Sequence, residues 1–373
     1  MKIRVRRDTF LSLFNQIAAF TATRDIRPIM KSVKMTVDDT GILLTATDGE
    51  VGGRGFIAMD DSVVVESAGE AILPAGLLKQ ILSQANDEEI TFDYERSKLT
   101  VRGRHSRYQL DTIDSSEPFP VVASFDASSF VRIHGKSLAE MIRRTAFATD
   151  QVNSHYDLRG VKLIFKGDRL EAVATDARRL AYQVCAAEYC GDNNTDDEFA
   201  MEALFPPRAL KLIERAAANV DEAQLAVRGT EAVVKAGNIV ISTTLLVGRY
   251  PDWNSIIPDP GSKARVDFIA GELAQAVQQA EIVATESKPG VWFNFTEGNV
   301  EIAASGEATG ESSVFLPIAY NGEAQKIRLD ARFLKDFFRC VAAEETIEFY
   351  FGGDYRTLIE TSDGYRYVVM QMA

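Results

Sequence analysis

The chain has 373 residues, 46% hydrophobic and 25% charged, which supplies separate cores for two or three domains and excludes an intrinsically disordered protein. With 54 acidic against 41 basic residues the net charge is −13, so a uniformly basic surface is excluded and any grip on phosphate needs the cations gathered on one face. Cys185, Cys190 and Cys340 form no CxxC pair, MKIRVRRDTF carries no apolar signal core and no run of eighteen apolar residues occurs, so the expectation is a cytoplasmic protein with reduced thiols and no membrane span.

An amphipathic helix is expected near Asp8–Ala19, with Ser12, Asn15 and Gln16 opposite the apolar stripe. LTATDGEVGG, from Leu44, reads as a strand and a tight turn. VVVES alternates as a strand, and LPAGLLKQIL, from Leu73, is a short strand running into a helix. ITFDYE and KLTVRG are further strands, and ASFDASS, Ala123–Ser129, is a linker. The middle third opens on a helix near Lys136–Phe147, where Leu138, Met141, Ile142 and Thr145 share one face. The strand VKLIF, the turn AVATDARRLA from Ala172, the strand-to-helix unit FPPRALKLIE from Phe205 and the strands AVVKAG and IVIST follow. PDPGSK, Pro258–Lys263, is a second linker. The last third repeats the order: a helix near Gly271–Ile282 with Gln275, Gln278 and Gln279 on its polar face, EIAASGEATG from Glu301, LDARFLKDFF from Leu329, then TIEFYF.

Three units thus recur three times in one order, with the pairs Leu78-Lys79, Leu210-Lys211 and Leu334-Lys335 at matching offsets. Pro206 and Pro207 suit a first helical turn, and Asp330 suits an N-cap. The expected architecture is α+β: three repeated domains, 1–125, 126–258 and 259–373, each with two helices on antiparallel sheets.

The expected helices carry a net positive charge on an otherwise acidic chain, through Lys79; Lys136, Arg143 and Arg144; Arg208, Lys211 and Arg215; Arg332, Lys335 and Arg339. The last two sets repeat an i, i+3, i+7 spacing and so share a face. Faces of this kind, brought onto one surface, hold nucleic-acid phosphates without reading sequence. Enzyme motifs are incomplete. Gly135-Lys136-Ser137 resembles the end of a phosphate-binding loop, but Phe130 stands where that loop needs glycine, so a nucleotide-binding enzyme is the disfavoured alternative. Gly49, Gly52, Gly53 and Gly55 do not space as GxGxxG and read as a turn. His105, His134 and His155 lie apart with no HExxH, and no GxSxG occurs, so neither metal nor cofactor is expected. Asp176, Arg178 and Arg179 read as a turn rather than as acid-base machinery.

Four stretches carry a family resemblance: LPAGLLKQIL, VATDARRLA (Val173–Ala181), GRYPDWNSIIP (Gly248–Pro258) and the terminal YVVMQMA. In this order, and over the whole chain, they resemble the β subunit of bacterial DNA polymerase III, the sliding-clamp family. The resemblance implies a non-catalytic processivity factor. Two copies would join head to tail into a ring of six domains, with helices lining a hole for duplex DNA and a loader opening the ring. It implies strands paired across domains and subunits. It also implies a pocket for apolar client peptides at Leu158, Thr175, Arg179, Leu180, Pro251, Ile256, Val368 and Met370, with Met372 beside them. Implied partners are the polymerase α subunit, the clamp loader and other replication and repair clients. Arg24 and Tyr156 are implied DNA contacts, to which charge adds Arg27, Lys31, Arg143, Arg144, Arg208 and Lys211. Tyr108 and Leu110 would meet Ile282 and Val283 between subunits. Four positions depart from the family: Ala177 replaces the usual glycine, Gln371 a common proline, Asp157 an aromatic in some members, and Ala373 a basic-plus-leucine ending. An alanine at position 177 would be strained if that turn needs positive φ.

Overall fold

The computed structural model describes residues 1–24, 27–60, 62–113, 118–150, 158–191, 200–285, 289–306 and 309–372. Among them run six α-helices: α1 (Arg7–Ala18), α2 (Ala75–Gln84), α3 (Gly135–Thr145), α4 (Pro207–Ala217), α5 (Ala270–Ala280) and α6 (Ala331–Phe338). Each follows directly on a strand: Lys2–Arg6, Gly69–Pro74, Phe130–His134, Ala200–Phe205, Ala264–Ile269 and Gln325–Asp330. After each helix come three strands, with one extra strand, Val63–Ser67, added after the three that follow α1, so one strand–helix–three-strand unit recurs six times among the described residues, two per expected third. The described strand pairs are antiparallel throughout, giving an α+β fold.

Local chemistry explains the helix ends. Pro207 opens α4, where a missing N–H costs nothing. The Asp330 carboxylate accepts from the Arg332 N–H at 2.9 Å and caps α6 as expected. The helix expected to reach Phe147 ends at Thr145 and tightens into a 3₁₀ turn, Ala146–Ala148. α5 ends likewise in Glu281–Val283. No described helix is long and apolar enough to cross a membrane.

Contacts group the chain into two compact units, one of residues 1–139, 187–199 and 208–245, the other of 140–186, 200–207 and 246–373. Residues 126–258 are divided between them. In the first unit, Val51–Ala58 pairs with Ile239–Thr244, which joins the sheet of the first third to that of the middle third. α1 lies on α2 and on strand Val51–Ala58, with Phe10, Phe14 and Phe92 in a ring cluster beneath. Gly53 and Gly55 belong to this contact. A Cβ on Gly53 would come within 2.3 Å of the Phe20 ring, and one on Gly55 within 2.6 Å of Leu13. The expected glycine turn is therefore only Gly49 (φ 96°), because the next three glycines lie on strand Val51–Ala58, closely approached by Val122, by Phe20 and by Leu13 of α1.

In the second unit the strand beginning at Arg179 pairs with Arg366–Met370, which joins the middle third to the last. A four-stranded sheet runs in the order Gly310–Pro317, Asn299–Gly306, Gly290–Thr296, Gln325–Asp330, with α5 packed on its first two strands. Phe293, Phe295, Phe349 and Phe351 stack beneath it, the closest centroids 3.7 Å apart. Burying each such ring stabilises the fold by about 1.5–3 kcal/mol.

Candidate functional site

The tight turn at Thr175–Arg179 organises the site. The Thr175 hydroxyl accepts from the Ala177 N–H (3.1 Å) and donates to the Arg179 carbonyl (2.7 Å), while Asp176 Oδ1 accepts from the N–H groups of Arg178 and Arg179, both at 3.0 Å. The first unit builds the same turn at Thr47–Val51. Thr47 bonds the Gly49 N–H (3.0 Å) and the Val51 carbonyl (3.1 Å), and Asp48 Oδ1 accepts from Glu50 (3.0 Å) and Val51 (2.8 Å). The repeat seen in the letters is thus a repeat of hydrogen bonds.

Its third residue is Gly49 in one copy and Ala177, at φ 69°, in the other. The left-handed conformation survives without glycine because four hydrogen bonds over-determine it. An L-residue there costs roughly 1–2 kcal/mol. Ala177→Gly should therefore raise stability by about 0.5–1 kcal/mol after the entropy of the freer unfolded chain is subtracted, or about 1–3 °C in Tm. A lower Tm would mean that the alanine methyl makes contacts worth more than the strain.

The turn delivers Arg179, whose side chain is only 10% exposed. Its guanidinium bonds Asp176 (2.9 Å), Asp336 on α6 (2.6 Å) and the Phe147 carbonyl (2.9 Å), and it lies over the rings of Phe333 (4.5 Å) and Phe147 (5.3 Å). Burial disfavours the charge, but Tyr367, Asp336 and Asp176 more than offset it, so the group stays cationic. Burial pushes the Tyr367 phenol well above its ordinary value. Beside Arg179, Leu180 and Val368 face each other in register and are buried in one cluster with Val173, Trp253, Tyr350 and Leu358, against which Ile256 packs.

Of the expected pocket residues, strand pairing therefore brings together Thr175, Arg179, Leu180, Val368 and Met370, and Ile256 joins them. Met370 is 36% exposed, and its N–H donates to the Arg178 carbonyl at 2.8 Å. Leu158 is buried, with its carbonyl accepting from Asp150 at 2.8 Å. Pro251 lines a neighbouring groove of about 1050 Å³ with Tyr182, Tyr250 and Trp253. Met372 reaches over Gly290, its N–H on the Arg328 carbonyl. Sequence reasoning missed Trp253, Phe333 and Asp336. Trp253 stood within a quoted motif, but nothing in the spacing tied Phe333 or Asp336 to a turn far away in the chain.

The expected DNA-facing residues divide. Arg24, Arg27, Lys31 and Lys211 are exposed, and Tyr156 lies outside the described residues. Arg208 is half-exposed, held by Asp48 and by the Thr21 carbonyl. Arg143 is exposed near Glu140 (3.5 Å). Arg144 requires correction, because it is 4% exposed. It bonds Gln183 (2.9 Å), Asp363 and Glu140 (3.0 Å) and lies 5.1 Å from the Tyr365 ring. The helical period places it one step round from Arg143, on the buried flank of α3. The matched stripes on α4 and α6 also differ. On α6, Arg332 pairs with Asp330 (2.6 Å) and Lys335 with Glu281 (2.8 Å), and Arg339, which caps its C-terminus, pairs with Asp336 (2.9 Å). On α4, Lys211 and Arg215 are exposed with no ion-pair partner among the described residues.

At the expected subunit contact, Tyr108 is 40% and Ile282 77% exposed, and Val283 is half-buried. Leu110 is 7% exposed in this chain; two residues from Tyr108, it shares that residue's face of the strand, where it lies opposite Leu99. Phe315, 61% exposed on strand Gly310–Pro317, was not foreseen. That strand and Arg107–Asp111 each end a sheet.

The nucleotide alternative fails on geometry. Gly135 opens α3 with its N–H bonded to the Asp221 carbonyl (3.0 Å), and a Cβ there would lie 2.2 Å from the Val220 carbonyl oxygen, so chain fills the space that a phosphate would need. Among the described residues no three His, Cys, Asp or Glu side chains converge as metal ligands. Burial pushes the Cys185 thiol up to about 12, which makes it a packing residue.

Comparison with known proteins agrees with this geometry. Residues 1–123 match the N-terminal domain of the DNA polymerase III beta subunit, and residues 132–252 match its central domain. The beta sliding clamp of Pseudomonas aeruginosa is 26% identical over 376 residues, covering all of both chains. A crystal structure of a sliding clamp from the same organism, bound to griselimycin, superposes with a TM-score of 0.90 at 25% identity over 100% of this chain and 99% of that one. The clamp of Bacillus subtilis shares the fold at a TM-score of 0.90 and 21% identity, again over 100% and 99%. Modules repeated down to their turn hydrogen bonds and joined edge to edge, with two domain models matched in sequence order, place this chain in the DNA polymerase III beta-subunit family, the bacterial sliding clamps.

Proposed function

We propose that two copies of this chain close head to tail into a ring around duplex DNA. Membership in the family makes the protein a DNA sliding clamp, a processivity factor rather than an enzyme. The finer reading is ours. The ring is built of domains 1–125, 126–258 and 259–373 from each copy, works in the cytoplasm, is opened by a clamp loader and tethers the polymerase α subunit and other replication and repair clients.

One observation carries it. Repeated modules are joined strand to strand, while the end strands Arg107–Asp111 and Gly310–Pro317 have a side free among the described residues, each with an exposed aromatic, Tyr108 or Phe315. Unpaired edges in the first and last thirds of one chain favour a head-to-tail partner. Lys211, Arg215, Arg24, Arg27 and Lys31 would supply the mild positive lining, in which contacts to phosphate alone let the ring slide. The test is loading onto nicked circular DNA. The protein should stay bound until the circle is cut and then run off the ends. Equal retention on linear and circular DNA would overturn the ring.

For client binding, Leu158, Thr175, Arg179, Leu180, Pro251, Ile256, Val368, Met370 and Met372 form the proposed pocket, its rim an exposed methionine able to repack around different anchors. Met370→Ala should weaken binding of a short peptide with leucine and phenylalanine anchors by about 1–2 kcal/mol, with Tm nearly unchanged. Leu180→Ala is a poorer probe, because emptying a fully buried site costs about 2–5 kcal/mol of stability. Unchanged peptide affinity in Met370→Ala would move the pocket elsewhere.

A further inference from the structure

The hairpin loop between strands Thr346–Phe351 and Arg356–Thr361 contains a knot of charge outside the pocket residues named above. Gly352 (φ 81°) and Gly353 (φ 77°) turn the chain so that Asp354 faces back into the loop. Asp354 accepts from Lys263 Nζ at 2.8 Å and from the backbone N–H (2.8 Å), Nε (2.9 Å) and Nη2 (2.6 Å) of Arg356. Lys263, at the end of the linker before the last third, has a side chain only 1% exposed. Its ammonium also donates to the carbonyls of Gly352 (2.8 Å) and Arg356 (2.7 Å), which uses all three of its protons.

The knot reaches the pocket from two sides. Arg356 Nη1 donates to the carbonyls of Ser255 (2.9 Å) and Ile256 (3.2 Å). On the other side, the Gln371 N–H donates to the Tyr355 carbonyl at 2.8 Å, and the Gln371 side-chain amide reaches the carbonyl of Asp354 (3.4 Å). Ile256 and the Met370–Met372 stretch otherwise belong to segments about a hundred residues apart, with separate backbones. We propose that Asp354, Lys263 and Arg356 are positioning residues that set the aperture of the client-peptide pocket, holding Ile256 on one side and Met370 and Met372 on the other. The assignment rests on the pocket reading above. None of the three needs to touch the peptide. A bidentate guanidinium locked by a carboxylate is a stiff spacer, and a pocket held open in its binding geometry spends less free energy on ordering when the client arrives. Burial alone would raise the Asp354 carboxyl, but the hydrogen bonds from Arg356 and Lys263 outweigh it and keep the group ionised, so the spacer keeps its charge at neutral pH.

The test uses the full chain, a labelled peptide with leucine and phenylalanine anchors, and three variants. Arg356→Met removes the bridge to Ser255 and Ile256 at similar bulk and should weaken the peptide about tenfold through faster dissociation, with association unchanged. Arg356→Lys keeps the charge but cannot span both carbonyls, and should fall between. Phe293→Leu, in the four-stranded sheet core away from these groups, is the control. It should lower Tm at least as much as Arg356→Met and leave peptide affinity as it was. Arg356→Met binding within twofold of the unsubstituted chain would overturn positioning while leaving the pocket intact, as would a Phe293→Leu variant that loses affinity in step with its Tm. No binding by the unsubstituted chain would overturn the pocket and this role with it.

Discussion

Arg144→Ala is expected to destabilise the unit containing residues 140–186 and 246–373 by about 2–3 kcal/mol, through the lost packing of a buried guanidinium and its hydrogen bonds to Gln183 and to the half-exposed Asp363 and Glu140. The arginine was a candidate DNA contact by charge alone. Its burial, its bonds to Gln183, Glu140 and Asp363 and its place over Tyr365 make it a structural group instead. The Tyr365 hydroxyl donates to the Arg144 carbonyl (2.9 Å), so the same residue also satisfies a fully buried phenol. Asp363 adds a pH signature. Burial works to raise its pKa, but hydrogen bonds from Thr361 and Arg144 and the Arg144 charge prevail, and the carboxyl is held below its ordinary value. The pair therefore stabilises the fold above about pH 4 and loses that contribution as pH falls further. Urea unfolding of the single variant should show a lower midpoint, and Arg144→Met with Asp363→Leu should recover much of the loss. A cost below about 1 kcal/mol for Arg144→Ala, or an acid sensitivity unchanged by it, would contradict this account.

Ile282→Asp is expected to give monomers. Ile282, 77% exposed, is the most exposed large apolar side chain of the last third's opening segment, and Phe315 stands on the edge strand Gly310–Pro317 of the same unit. A charge placed in the centre of a desolvated patch costs at least about 2 kcal/mol. A closed ring of two copies has two such contacts, so the penalty counts twice, and dimer dissociation should rise roughly 1000-fold. Light scattering across a dilution series measures this directly. A dimer that persists at the unsubstituted protein's concentration range would show that the contact lies elsewhere, and Phe315→Asp would then separate a misplaced patch from an absent interface.

Particular residues show how far the letters reached. The turn at Thr175–Arg179 was legible because its hydrogen bonds are local: Thr, Asp and the next residues in sequence satisfy one another whatever surrounds them. The α6 cap at Asp330 was legible for the same reason. Arg143 and Arg144 were indistinguishable as letters, because two adjacent cations differ only in which neighbours meet them across the fold. The glycines at 53 and 55 were read as part of a turn because only the approach of Phe20 and Leu13 shows why a side chain is forbidden there.

By itself the sequence determined what depends on near neighbours: the threefold order of helices and strands, the shared turn, the capping residues and the family motifs. Tertiary structure decided which charges are spent inside the protein, which apolar residues remain outside, and how Ile256 comes to pack on the cluster of Leu180 and Val368. Those outcomes turn on contacts between segments far apart in the chain. Their energies arise from burial and from charge pairing across the fold, quantities that no local pattern of residues encodes.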